Sequence, residues 1–464
     1  MNEIQKLKNM KLTENGDISY KTTGKELQDL FFLTAYYEKH LDEVKIGTSA
    51  KEKLLAMYIR DCRYGLGRRD LGRVLMEKAN VSPSDVVLAG RYDDLWHIGR
   101  DEDIDYLKNQ VYSNNELAKK WMPRRKGKDK LIAKIICEMW GLTPKQYNKL
   151  IKTSTTEYKL SYAEKVKASE LDKLFNKGSY IHPLVDEIEF EKVPSLAMKK
   201  YLHCFSTRED IKDRFNAYMQ DVKENKKKIN VSTTNIVDGR DVALGDWTTQ
   251  DVKENQEILA NKIVDNATIG VEMDAIVILD TSGSMGSQWE NHSLLGKAMA
   301  IAHGISTHST YAKNQLISFS SNPRLMTIKG DTLEKQYESM YTGDCSNTDF
   351  GKVMKLLTQL NKFPEYFIVI SDMEFDYGSN HSKTKTMEII RSYGAKTRII
   401  WWNLNDRNKT VPEFDEYGNI FLSGYNLQLL KLLENKFNME EYLDKILKEY
   451  AKKINKDIDF VDII

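Results

Sequence analysis

Up to about residue 230, apolar positions recur at intervals of three and four, the period of helices that bury one face. In EKLLAMYIRDC, Glu52 to Cys62, the residues Leu55, Ile59 and Cys62 share a face, while Lys51, Glu52 and Arg60 fall elsewhere. The same period predicts helices over Lys130 to Trp140, Pro144 to Ile151 and Pro194 to Phe205. Both prolines then sit in a first turn, where the missing N–H has no helical partner to lose. Many short helices with few Pro or Gly describe a helical stack, although no segment repeats at a fixed spacing.

Between about Lys223 and Thr268 the chain turns polar, with a Lys cluster, a Ser/Thr/Asn run and Asp238-Gly239 as a turn, so the interdomain connection is placed here. From Met273 the pattern changes. Apolar runs of strand length, Ala275 to Leu279, Gln315 to Phe319, Tyr366 to Ile370 and Arg398 to Trp402, now alternate with helical stretches. Those helices are expected at His292 to Thr307, Phe350 to Leu360, Thr386 to Ser392 and Asn426 to Glu434. Runs such as AIVIL and FIVI are apolar at every position, as strands covered on both faces require. The expected fold is multidomain: an α-helical repeat module over residues 1–255, then an α/β doubly wound, Rossmann-like domain with C-terminal helices over 256–464.

Charge adds one feature. The chain of 464 residues carries 69 Lys plus Arg and 68 Asp plus Glu, so no global field points to nucleic acid or membrane. Between Val111 and Tyr180, however, 16 basic residues stand against 7 acidic ones, an asymmetry suited to an anion-binding face. Cys62, Cys137, Cys204 and Cys345 are far apart, which argues against a disulfide scaffold or a zinc site and for a reducing compartment. The start has no apolar core of signal-peptide length, and no run approaches the roughly 20 apolar residues that span a bilayer. A soluble, cytoplasmic protein without a membrane partner is expected. Without GxSxG, P-loop or HExxH, an enzyme is not.

Candidate chemistry collects at the ends of two strands. The first runs into Asp280-Thr281-Ser282-Gly283-Ser284, FIVI runs into Ser371-Asp372, and the loop GDCSNTDF offers Thr348 before a helix. Two carboxylates and three hydroxyls make an all-oxygen environment that suits Mg²⁺, Mn²⁺ or Ca²⁺ and is poor for zinc. In an extended loop, residues two apart point the same way, so Asp280, Ser282 and Ser284 can face one ion. The alternative is that Asp280 and the serines cap the following helix. The set DTSGS, Thr348 in SNTDF and the later SD resembles the metal-ion-dependent adhesion site of von Willebrand factor A (VWA) domains, over roughly residues 270–425. That resemblance implies Asp280, Ser282, Ser284, Thr348 and Asp372 as ligands of a divalent cation, Mg²⁺ foremost, open to an acidic protein partner. Where a glycine is common after the second acid, this chain has Met373-Glu374-Phe375-Asp376.

The first half carries a second resemblance. YIRDCRYGLGRRDLGRVL (Tyr58 to Leu75), GRYDDLW (Gly90 to Trp96), AKKWMPRR (Ala118 to Arg125), GLTPKQYNKLI (Gly141 to Ile151) and VPSLAMKKYLHCF (Val193 to Phe205) are similar to the TROVE module of the Ro ribonucleoprotein family. In that family a ring of HEAT-like helical pairs is closed by a VWA domain, the module order seen here. Asn148 departs from the pattern, standing where a basic residue is expected. The resemblance implies a monomer that binds noncoding RNA, both small structured RNAs and the single-stranded ends of misfolded ones. The cations in place are Lys119, Lys120, Arg124, Arg125, Lys126, Lys128 and Lys130, with Lys145, Lys149 and Lys152 down one helix face. Charge runs are also commonly solvated helix faces, and a cation-dependent protein-interaction scaffold without RNA is the competing reading. Arg91, Asp93 and Asp94 are expected to form a buried charge pair at a helix junction. Arg60, Arg63, Arg68, Arg69 and Arg73 are open to two readings, phosphate contacts or pairing with acids of a neighbouring repeat.

Overall fold

The computed structural model describes residues 10–12, 18–20, 25–152, 188–193, 195–231, 249–268, 272–287, 293–341, 343–344, 350–360, 362–372, 391–392, 396–404, 420–423 and 439–455. The chain forms two compact units: one of residues 1–36 with 181–439, the other of 37–180 with 440–464. Helices dominate the N-terminal region, and a mixed sheet with helices occupies the C-terminal part.

The second unit is helical. Its helices include Ala50–Arg60, Arg69–Lys78, Pro83–Ala89, Tyr92–Ile98, Asp101–Tyr112, Glu116–Trp121, Lys130–Met139 and Pro144–Leu150, joined by the C-terminal helix Met439–Lys453. Local signals set the starts. Ser49 and Glu52 form a reciprocal capping box, as do Thr143 and Gln146, and Pro144 takes the first helical position. The glycines of YGLGRRDLG permit a close turn: a Cβ on Gly65 would lie 1.8 Å from the Tyr58 carbonyl, and one on Gly72 would lie 2.6 Å from Arg60 Cβ.

Acids and arginines meet inside this close packing. Asp94, fully buried, accepts from Arg60 at 2.7 Å and Arg73 at 2.6 Å, while Asp93 accepts from Arg73 at 3.3 Å. Arg91 gives Asp94 only its backbone N–H, at 2.8 Å, and lays its guanidinium over the Trp121 ring at 4.7 Å. Arg68 pairs with Glu38 and Arg63 with Asp61. Four of the five arginines left open by the sequence thus pair with acids. Asp61 also accepts from the Tyr450 hydroxyl at 3.2 Å, and Tyr450 packs edge-on against Tyr58. Lys51 pairs with Asp444, so the C-terminal helix is tied to Ala50–Arg60 near both of its ends.

The first unit holds a two-stranded hairpin, β1 (Met10–Leu12) with β2 (Ile18–Tyr20), and a six-stranded sheet. The sheet comprises β3 (Ala275–Asp280), β4 (Gln315–Phe319), β5 (Arg324–Thr327), β6 (Tyr366–Ser371), β7 (Arg398–Asn403) and β8 (Ile420–Ser423), in the order β5-β4-β3-β6-β7-β8. All neighbours are parallel except β5, which runs antiparallel at one edge. One sheet face packs on the helix Phe350–Leu357 through Ile276, Ile278, Val369 and Trp401. The helix Leu294–Thr307 packs on β3, β4 and β6, and buries Leu295, Met299, Ile301 and Ile305. Helical cover on both sides is what every-position apolarity in β3 and β6 demands. The adjacent Trp401 and Trp402 are both buried.

The polar stretch expected to connect domains instead contains a 19-residue helix, Gln250–Thr268, packed on Ser195–Thr207 and Lys212–Lys223. Its apolar row, Val252, Leu259 and Ile263, is diluted by Asn255, a polar residue that is nevertheless buried. Asn255 donates to Ser206 at 3.0 Å and to Asn216 at 2.6 Å, which is how an amide is accommodated there. The expected helices at Thr386 to Ser392 and Asn426 to Glu434, and the turn Asp238-Gly239, lie wholly or mostly outside the described residues.

Candidate functional site

Two regions hold the candidate residues, one in each unit. In the sheet, the chain runs from β3 to β4 on one side and later returns to place β6 on the other, so the order reverses between β3 and β6. At such a switch point the loops at the carboxyl ends part and leave a crevice. Asp280 ends β3 and Asp372 follows β6 directly. Register aligns them further. Leu279 pairs with Ile370, so the next residues, Asp280 and Ser371, come level, and the Ser371 hydroxyl donates to Asp280 Oδ2 at 2.5 Å.

The other oxygen of Asp280 accepts the Ser282 backbone N–H at 2.9 Å, and the Ser282 and Ser284 hydroxyls stand 3.1 Å apart. The loop is not extended as expected: Ser282 stands at the N-cap of a 3-10 turn, Gly283–Met285, and that turn brings the Ser284 hydroxyl back to Ser282. Thr281 turns the other way, towards Ser318 and the Phe319 carbonyl, each at 3.3 Å, and ties the loop to β4. Burial pushes the Asp280 carboxyl up to about 7; hydrogen bonds from Ser371 and Ser282 oppose the shift, and the nearby Asp372 charge adds to it. Asp280 and Asp372 are both buried, and their carboxylates with the neighbouring hydroxyls are hard-oxygen donors of the kind that divalent cations favour. Among the described residues no group of three or more His, Cys, Asp or Glu is placed to hold a metal. Thr348, Glu374 and Asp376 lie outside the described residues. Ser371 is the partner that the sequence reading did not count; its place level with Asp280 follows only from strand register.

The basic residues lie in the helical unit. Arg124, Arg125, Lys126, Lys128, Lys130, Lys145, Lys149 and Lys152 are exposed. Two contacts join their two segments: buried Tyr147 donates to the Pro123 carbonyl at 2.9 Å, and Arg124 donates to the Ile151 carbonyl at 3.2 Å. The 124–130 loop is thereby held against the end of the helix Pro144–Leu150. Lys120 is half-buried, with its ammonium 5.4 Å from the Trp121 ring centre. Lys119 does not join this face: it is 7% exposed, pairs with Glu116 at 3.2 Å and bonds Asn114. Its neighbours in sequence gave no sign of this, because burial was decided by the fold of a short helix. Lys134, exposed beside Lys130, extends the face.

Two family descriptions match the chain: domain of unknown function DUF2828 over residues 100–256 and domain of unknown function DUF7788 over 274–462. An uncharacterized protein of Acanthamoeba polyphaga mimivirus is 23% identical, with 96% of this chain and 88% of that protein covered. Among solved structures, the Ro (RSR) protein of Deinococcus radiodurans matches at 12% identity and a TM-score of 0.38, covering 90% of this chain and 92% of that one. An aerotolerance-related membrane protein of Bacteroides fragilis matches at 18% identity and a TM-score of 0.22, covering 39% of this chain and all of that one, at 100%. Among the described residues of this chain, no helix is long and apolar enough to cross a membrane.

Proposed function

We propose that this protein binds small noncoding or misfolded RNA through a HEAT-like helical surface, as a cytoplasmic monomer without catalytic activity of its own. The observation that carries this reading is the joining of two basic segments into one exposed face by Tyr147 and Arg124. Phosphate contacts supply most nucleic-acid affinity, and a fixed array of cations loses less entropy on contact than a loose tail. Four of the five TROVE-like motifs lie in the same unit and support it. Replacing Arg125, Lys126 and Lys128 together by Glu is expected to weaken binding of a single-stranded RNA by more than tenfold. Removing three phosphate contacts also flattens the salt dependence, by about 2 in log–log slope. Crosslinking and sequencing from cells reads the same question in vivo. No RNA above background at moderate salt, or equal binding by the triple variant, would refute the reading.

The sheet unit is the proposed VWA domain, with Asp280, Ser282, Ser284, Thr348 and Asp372 around Mg²⁺, and Mn²⁺ or Ca²⁺ as substitutes. The cation would accept a carboxylate from an acidic protein partner. Mg²⁺ at a hundred times its Kd should stabilise this unit by about 2.7 kcal/mol. Asp372→Asn, which keeps shape and loses charge, is expected to abolish that rise in melting temperature. A partner protein released by EDTA and by Asp372→Asn, with no RNA crosslinked, would favour the interaction scaffold instead.

A further inference from the structure

The helix Lys130–Met139 buries Ala133, Ile136 and Cys137, yet its outer face is not polar. Leu131 is 64% exposed, Ile135 47% and Met139 55%. Spaced four apart, the three form one stripe about 12 Å long on a single helix face. The described residues hold seven exposed large hydrophobics, and five of them lie between Tyr112 and Met139, so this exposure is concentrated in one part of the unit. Concentrated apolar surface on a folded unit marks a contact surface.

The surrounding charge selects the occupant. One position before each stripe residue stands Lys130, Lys134 or Glu138, a row one helical step round from the stripe. Lys134 and Glu138 lie 3.8 Å apart and are both about two-thirds exposed, a weak pair that a stronger partner can replace. From Arg124 to Lys152 there are nine Lys or Arg against two acids, Asp129 and Glu138. A second copy of the chain would bring like charges together, which is unfavourable. Nucleic acid gains little from Leu, Ile and Met, which offer no ring on which a base stacks.

We propose that the stripe Leu131, Ile135 and Met139 docks an amphipathic helix of a partner protein whose apolar row is bordered by acidic residues. Helix-on-helix docking of this kind uses anchors at one-turn spacing, as here. Charge order also fixes direction: acids of the partner lie over Lys130 and Lys134, and a basic residue lies near Glu138. The inference does not depend on RNA binding.

The probe is a labelled synthetic helix of about 18 residues, five turns, with a Leu row flanked by Glu, and a twin flanked by Lys. Anisotropy titrations use the full chain. The Glu-flanked peptide is expected to bind. Ile135→Ser with Met139→Ser should weaken it about tenfold or more, with RNA affinity unchanged. Both side chains are exposed, so the fold is kept. Lys134→Glu should weaken the same peptide severalfold. Absence of binding, equal binding of the Lys-flanked twin, or equal binding to the double-serine variant would overturn the proposal. So would a parent dimer, seen in sedimentation, that the double-serine variant dissolves, because a second copy would then own the stripe. Loss of RNA binding in the triple-Glu variant leaves this peptide assay to stand separately, since Leu131, Ile135 and Met139 remain.

Discussion

Asp94→Ala is expected to destabilise the helical unit by about 3–5 kcal/mol, because it strands a buried charge rather than removing a surface one. Arg60 is 3% exposed and rests on Asp94 at 2.7 Å; without that carboxylate its guanidinium stays desolvated with no counter-charge. Arg73 loses its 2.6 Å partner as well and keeps Asp93 at 3.3 Å. The Arg91 backbone N–H, which caps onto Asp94, is released at the same time. Denaturant titration of the purified chain measures the loss. Arg60→Met with Asp94→Leu, which takes out both charges and retains volume, should recover much of it. A single Asp94→Ala variant within 1 kcal/mol of the parent would show that the network contributes little.

Tyr450→Ala carries a comparable expectation, about 3–5 kcal/mol for a fully buried aromatic ring. The ring is 1% exposed and lies 5.3 Å from that of Tyr58. Burial, with Asp61 beside it, pushes the phenol above its usual range, so it is protonated and donates at neutral pH. Tyr450→Phe should cost less, about 1–3 kcal/mol, because only one acceptor position on buried Asp61 is left unmet. Hydrogen exchange of peptides covering residues 50–60 gives the local opening energy. The ranking Ala worse than Phe, with exchange accelerated in Ala50–Arg60, is the expected outcome. Unchanged protection in the Ala variant would mean that the C-terminal helix does not support that region.

Most of the architecture was legible where one period ran uninterrupted. Helix Ala50–Arg60 and strands β3 and β6 show clean three-four or every-position apolarity, and their ends fall within a residue or two of the pattern. The helix Gln250–Thr268 was hidden because its buried row includes Asn255, so a local polarity average reads as linker. Strand β5 was missed for a different reason: RLMT is short, largely exposed and paired with β4 at the sheet edge. At the strand edge, Ser282 and Ser284 come together through the 3-10 turn Gly283–Met285, where an extended loop was expected. Ser371 opposite Asp280 required register, a property of two segments 91 residues apart that no local pattern carries. Charge counting found the basic face and also swept in Lys119, since counting is blind to burial.

The hydrogen bond between Asp61 and Tyr450 joins residues 389 positions apart. During synthesis at about 5–20 residues per second, the helices around Asp61 wait on the order of 20–80 s for the segment that covers them. Until then Tyr58 and the buried carboxylate lack their C-terminal cover, on a nascent chain that already displays its basic face. A chain that stops before Tyr450 therefore leaves Tyr58 without its edge-on ring and Asp61 without that donor, and its first helices are more open to chaperones and proteases.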